Sequence, residues 1–201
     1  MGGVEILADN GTFCYHTDQA WRMFFRSTFG HNTLELLGKD QSLQGGPFLW
    51  TRQAKSRTIS FSGLHEGETA AWSGEHDGYA PLLHRREVRL ERSMRTITMM
   101  DTVLGGDAPG RLSFHLGPSV QCELRDGMAH LAWDNAGHSA GAELHLPPEL
   151  EWTLRTGETD PIAGWYSKGF GRKTPSGQLI GTGPVKDATT LTTTFRHIPL
   201  D

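Results

Sequence analysis

The chain is poor in the features that announce most protein classes. It carries only two cysteines, Cys14 and Cys122, which allow at most one bond; they make no disulfide framework, and two buried thiols are the expectation. No run of about 18 apolar residues occurs, and the opening MGGVEILADNGT has neither the basic region nor the long apolar core of a secretion signal. No membrane partner is expected. Basic tails and lysine-rich helices are also missing. With a formal charge of −4 and a pI near 6.2, that argues against a general nucleic-acid binder, which must neutralise phosphates.

Short catalytic signatures mostly fail too. There is no Gly-x-Ser-x-Gly elbow and no Cys-x-x-Cys pair. His65-Glu66-Gly67-Glu68-Thr69 has a threonine where a zinc-binding helix needs its second histidine. Gly169-Phe170-Gly171-Arg172-Lys173 is glycine-rich but lacks phosphate-loop spacing, and reads as a structural or substrate-facing loop. Asn10-Gly11-Thr12 is formally a glycosylation acceptor but carries no weight alone. No repeat, heptad or low-complexity tract is present.

What is present is a chain of 201 residues with 25 glycines, enough for one core and rich in turns. Alternation of apolar and polar residues dominates. The clearest case runs from Leu83 to Leu90 and from Arg95 to Val103 around Glu91-Arg92-Ser93, the pattern of a half-buried hairpin. Asp126-Gly127 supplies a second hairpin turn between Val120–Leu124 and Met128–Trp133. Further strands are expected at 33–36, 58–62, 69–72, 111–116, 142–146, 151–155 and 190–198. Without helical crossovers between them, the sheets should be antiparallel. One short helix is expected within 18–26, where Ala20, Trp21, Phe24 and Phe25 share a face. The stretch from Gly164 to Pro184 looks most like a loop. The expected fold is therefore all-β, a large antiparallel sandwich over residues 1–201 as a single domain. The Met-Gly-Gly start suggests a piece cut from a longer protein.

Chemistry is carried by histidines, arginines and aromatics. His31, His76 and His84 sit at places that one sheet edge could bring together, and imidazoles with a carboxylate, Asp77 or Asp40, are the donors of a divalent metal site. Solvated or hydrogen-bonded histidines are the plainer reading. Basic groups cluster at Arg52, Lys55 and Arg57, at Arg85, Arg86 and Arg89, and at Lys168, Arg172 and Lys173. They suit carboxylate or sulfate, although a solvated strand face has the same composition. On a strand, Arg85 and Arg89 share a face and Arg86 points away. Six tryptophans offer stacking surface or core volume.

An ordered set of segments resembles the heparinase II/III-like C-terminal domain. These are Asn10-Gly11-Thr12-Phe13-Cys14-Tyr15-His16-Thr17-Asp18, Ala20-Trp21-Arg22, Phe25-Arg26-Ser27-Thr28, His31-Asn32-Thr33, Gly38-Lys39-Asp40-Gln41-Ser42, His76-Asp77-Gly78-Tyr79, His84-Arg85-Arg86, Gly164-Trp165-Tyr166-Ser167 and Gly169-Phe170-Gly171-Arg172-Lys173. The resemblance implies a β-sandwich that follows a helical toroid, the toroid being its partner within a longer, periplasmic or otherwise exported lyase. Such enzymes cleave uronic-acid polysaccharides such as heparin, heparan sulfate or alginate by β-elimination, in a cleft between toroid and sandwich. It implies His31 as catalytic residue; His16, Tyr79, Arg172 and Lys173 as substrate-binding residues; and His31, Asp77 and His84 as ligands of a structural zinc or calcium, with Asp40 as the alternative carboxylate. Where some relatives carry a catalytic histidine two positions before the metal-binding one, this chain has Phe29; an acidic position before the first hairpin glycine is Leu37. Because the toroid supplies essential groups, the 201 residues alone are expected to be inactive, to expose the surface that meets it, and to be able to form a homodimer through that surface. Two other classes stay open: a carbohydrate-binding or structural sandwich without catalysis, and a metal-dependent β-barrel oxygenase using His31, His84 and a carboxylate.

Overall fold

The computed structural model describes residues 3–63 and 67–199; Met1-Gly2 of the opening, and His65-Glu66 of the rejected zinc pattern, lie outside them. In chain order the elements are α1 (Gln19–Arg26), β1 (Leu34–Leu36), β2 (Leu43–Gln44), β3 (Trp50–Arg52), β4 (Ser56–Ser62), β5 (Thr69–Tyr79), β6 (Leu82–Glu91), β7 (Thr96–Leu104), β8 (Ala108–His115) and β9 (Gln121–Arg125). There follow β10 (Met128–Asn135), β11 (His138–His145), β12 (Glu151–Thr156), β13 (Glu158–Thr159), β14 (Ile162–Ala163), β15 (Trp165–Gly169), β16 (Arg172–Pro175), β17 (Gly177–Val185) and β18 (Thr190–Pro199). An eight-stranded sheet in the order β4-β5-β6-β7-β18-β11-β10-β9 faces a four-stranded sheet in the order β1-β8-β17-β12. Every pairing among them is antiparallel.

Alternation explains the layers. In β7, Met99, Asp101 and Val103 are buried while their neighbours are less so, and in β8 and β17 Leu112, Phe114 and Leu179 point to the same interior. Their core partners from the larger sheet include Leu131, Leu144, Leu191 and Phe195. Phe114 is wholly buried, so truncation to alanine would cost about 3–5 kcal/mol. The opposite face of β8 and β17 carries His115 and Gln178, which are register partners. Both side chains bond the Phe29 carbonyl, at 3.0 and 3.1 Å. They thereby dock the segment after α1 as a third layer. Within α1, Asp18 caps the first turn by accepting from the Trp21 amide, and Phe24 and Phe25 supply the buried face.

The hairpin at Glu91 and the Asp126-Gly127 turn form as expected, the latter with φ of 48° and 75°. Arg85 and Arg86 do point to opposite faces, one bonding Glu75 and the other Asp101. Both cysteines are free thiols. One expectation is corrected: residues 164–184 are not a loop but β15, β16 and most of β17. Their glycines mislead because β17 lies against bulky neighbours; a Cβ on Gly181 would stand 2.6 Å from the Trp152 ring.

Candidate functional site

Two histidine–aspartate pairs organise the polar part of the molecule. The first begins at Asn32, whose side chain donates to the Ala8 carbonyl at 3.0 Å and accepts from the His115 amide at 2.6 Å. This clips the first strand-like stretch beside residue 31. As a result His31 Nδ1 meets Asp9 Oδ2 at 2.9 Å. The bond from His31, with a further one from the Gly11 amide, holds the Asp9 carboxyl below its usual range. Since an ionised Asp9 only accepts, the proton between the two sits on His31 Nδ1, and in the neutral ring Nε2 is the nitrogen that carries a lone pair.

A cavity of about 420 Å³ adjoins this pair, lined also by Arg22, Arg26, Gln41, Ser42 and Trp50. The arginines are four apart on α1, so both project to one side. Arg22 donates from Nε and Nη2 to the Pro47 carbonyl, at 3.0 and 2.7 Å. Arg26 donates from Nη1 to Gly46 at 2.6 Å and stacks 4.0 Å from the Trp50 ring centre. Thr28, also in the lining, donates its amide to Asp40 at 2.6 Å, and Asp40 itself lines a different cavity. Beside Arg22, Tyr15 lies between Phe48 and Phe170, with ring centres 5.6 and 5.7 Å away. All three rings are exposed, and Arg22 stands over Tyr15 at 5.0 Å.

The second pair is buried. His84 Nε2 meets Asp101 Oδ1 at 2.6 Å, and His76 Nε2 meets His84 Nδ1 at 3.0 Å. The Gly78 amide donates to His76 Nδ1 at 3.2 Å, which fixes the direction of the chain. His76 then donates to His84, and His84 to Asp101, with both rings neutral. Burial, reinforced by His84, lowers the His76 pKa to about 4. Arg86 closes the other side of Asp101, with Nε to Oδ1 at 2.8 Å and Nη2 to Oδ2 at 2.9 Å, and also donates to the Asn32 carbonyl. Although burial raises the Asp101 pKa, Arg86 and His84 outweigh it and keep the carboxyl far below its usual range.

The expected site residues therefore fall in different places. His16 is exposed and lines a cavity with Tyr15 and Arg22. Arg172 is exposed on β16, whereas Lys173 is wedged among aromatics, 4.5, 4.2 and 5.2 Å from the ring centres of Phe13, Trp21 and Trp165. Tyr79 lies in the core, 3% exposed, donating to the Leu34 carbonyl. Asp77 accepts from the Lys55 amide at 2.7 Å. His31, Asp77 and His84 thus have separate partners, with both ring nitrogens of His84 engaged. As arranged they do not form one ligand set, and among the described residues no group of three or more His, Cys, Asp or Glu could hold a metal ion. Asp9 and Asp101 were not singled out from the sequence. Asp101 had a signal: it sits at an inward position between Met99 and Val103, where a charge needs a partner.

The profile of the family described as heparinase II/III-like, C-terminal matches residues 1–194. The chain belongs to that family. No curated protein sequence matches it. Among solved structures, heparan sulfate lyase HepC from Pedobacter heparinus superposes with a TM-score of 0.74 at 16% identity, over 97% of this chain and 29% of that one. A structure described as heparinase III, the BT4657 gene product, gives 0.72 at 17%, over 96% and 28%. Another heparinase III gives 0.71 at 20%, over 97% and 28%. The heparinase II/III-like domain seen here thus spans less than a third of the length of these relatives. At such identities the likeness is one of fold.

Proposed function

We propose that this domain is the C-terminal module of a polysaccharide lyase acting on uronic-acid glycans of the heparin, heparan sulfate or alginate kind, and forms one wall of the substrate cleft. The observation that carries the reading is the rim at His31: a tautomer-fixed imidazole beside a cavity with two arginines, in a chain matched to the family over 194 residues. In β-elimination a base removes the proton at C5, next to the uronate carboxyl. The C4–O4 bond breaks, a C4=C5 double bond forms, and an acid protonates the departing oxygen. Cations beside the uronate lower the cost of charge building on its carboxyl. Here Arg22 and Arg26 supply cations, and His31 Nε2 is the atom able to take or return a proton. Exposed Arg172 and His16 extend the polar surface for the chain of sugars.

The remaining machinery is assigned to the helical part of the parent, which we place in the periplasm or outside the cell. Incubating the parent and the 201-residue chain with heparin, heparan sulfate and alginate, and following ultraviolet absorbance of the unsaturated uronate, tests the assignment. The parent should turn over and the isolated domain should not. A second reading, sugar binding without cleavage, is favoured by one observation, the exposed Phe48–Tyr15–Phe170 stack beside Arg22. It would stand if the parent bound these glycans and released no unsaturated product.

A further inference from the structure

The two sheets are unequal. Eight strands face four, so among the described residues part of the inner face of the larger sheet has no strand above it. Register shows which part. Leu90 pairs with Ile97, and Ile97 with Phe195, making one inward row across β6, β7 and β18. Val88 and Trp72 continue that face towards the edge, where Phe61 pairs with Trp72. Trp72 is 40% and Phe61 68% exposed. Above the row lies a cavity of about 490 Å³, walled by Leu90, Ile97, Phe195, Ile6 and Leu7, with Arg92 and Arg95 also lining it.

Residues 6–8 form the opposite lip. They run antiparallel to the end of β8, with a bridge between Leu7 and Leu116. The Ala8 amide donates to the His115 carbonyl at 2.9 Å, and the Gly117 amide to the Ile6 carbonyl at 3.0 Å. In an antiparallel pair, a residue between two such bonds directs its own N–H and C=O to the opposite side. Leu7 therefore offers a donor and an acceptor outward, at the edge of the smaller sheet and at the mouth of the apolar cavity.

We infer that this cavity seats a β-strand from the part of the parent chain outside these 201 residues, added at the Leu7 edge, with alternate apolar side chains on Leu90, Ile97 and Phe195 and a carboxylate near Arg92 and Arg95. The inference rests on the reading of this domain as one module of a longer lyase. Three observations favour a strand of that chain over other occupants. The Leu7 backbone supplies the bonds that strand addition uses. The deficit is one of sheet width. And the solved relatives run to more than three times the matched length, so there is ample chain to contribute it.

Hydrogen exchange at the Leu7 amide, compared between the parent and the 201-residue chain, tests the inference. Exchange should slow more than tenfold in the parent, and a photocrosslinker at position 97 of the parent should capture a peptide from outside the domain. As a second readout, Leu90→Glu should lower the melting temperature of the parent and leave that of the isolated domain nearly unchanged, because the glutamate reaches water there. Equal exchange in the two proteins would overturn the inference. So would protection of the isolated domain that grows with its concentration, which would assign the cavity to a second copy. Lyase assays on the same parent separate the two levels: a protected Leu7 in a parent that does not cleave removes the functional reading and keeps the strand, and a cleaving parent with unprotected Leu7 does the reverse.

Discussion

The two histidine–aspartate pairs are chemically alike and differ in where the fold puts them. In His84–Asp101 the side chains are 3% and 0% exposed, and each polar atom is matched by His76 or Arg86. In His31–Asp9 they are 39% and 69% exposed, and one imidazole nitrogen is left over beside a cationic cavity. The first pair has spent its chemistry on the fold, because a buried charge must be fully paired. The second keeps chemistry in reserve. The two are mechanically joined: Arg86 binds both Asp101 and the Asn32 carbonyl, and Asn32 clips Ala8 next to Asp9. Order at the exposed pair is thus borrowed from the buried one.

Breaking the buried pair should have the largest effect. Asp101→Asn leaves the Arg86 charge without its partner and should cost about 3–5 kcal/mol in urea unfolding; a loss under about 1 kcal/mol would remove the distinction between the pairs.

Acid should act on the buried side next. Burial holds the pKa of His115 at about 4, as it does that of His76. The unfolded chain takes up protons at both near 6.5, while the folded protein refuses them until about pH 4, so stability should fall as pH drops from 6.5 to 4. Asp101 acts below that window: its stabilisation is present above the ordinary carboxylate range and fades as pH falls below it. Unfolding midpoints measured across pH, with His115→Gln expected to flatten the slope, check the assignment.

The exposed pair should show the inverse behaviour. His31→Ala should cost less than about 1 kcal/mol of stability, yet, if the proposed function holds, slow glycan cleavage by the parent protein about a hundredfold or more. Smallest of all, Phe170→Ala should leave stability within about 0.5 kcal/mol and weaken heparin binding only a few-fold in calorimetric titration.

Much of the fold was legible in alternation and turn chemistry: the β6–β7 hairpin, the Asp126-Gly127 turn, the antiparallel sheets and the short helix. The stretch around β17 was not, because glycines that lie against bulky neighbours, Gly181 against Trp152 and Gly177 against Leu116, look locally like loop glycines. At the site, His31 stood out through its neighbours in sequence. Its partner did not, since Asp9 lies 22 residues away and is brought in by bonds from Asn32. Of His31, His76 and His84, expected together at one sheet edge, the last two meet and His31 bonds Asp9 instead; the acceptor Asp101 is on the next strand and could be found only by asking what a charge was doing at an inward position.

The most direct test compares the parent protein with this 201-residue domain on heparan sulfate, heparin and alginate under one set of conditions. Appearance of the unsaturated uronate with the parent, and its absence with the domain even at high concentration, is the predicted result. Robust turnover by the domain alone would contradict the assignment of essential chemistry to the rest of the parent.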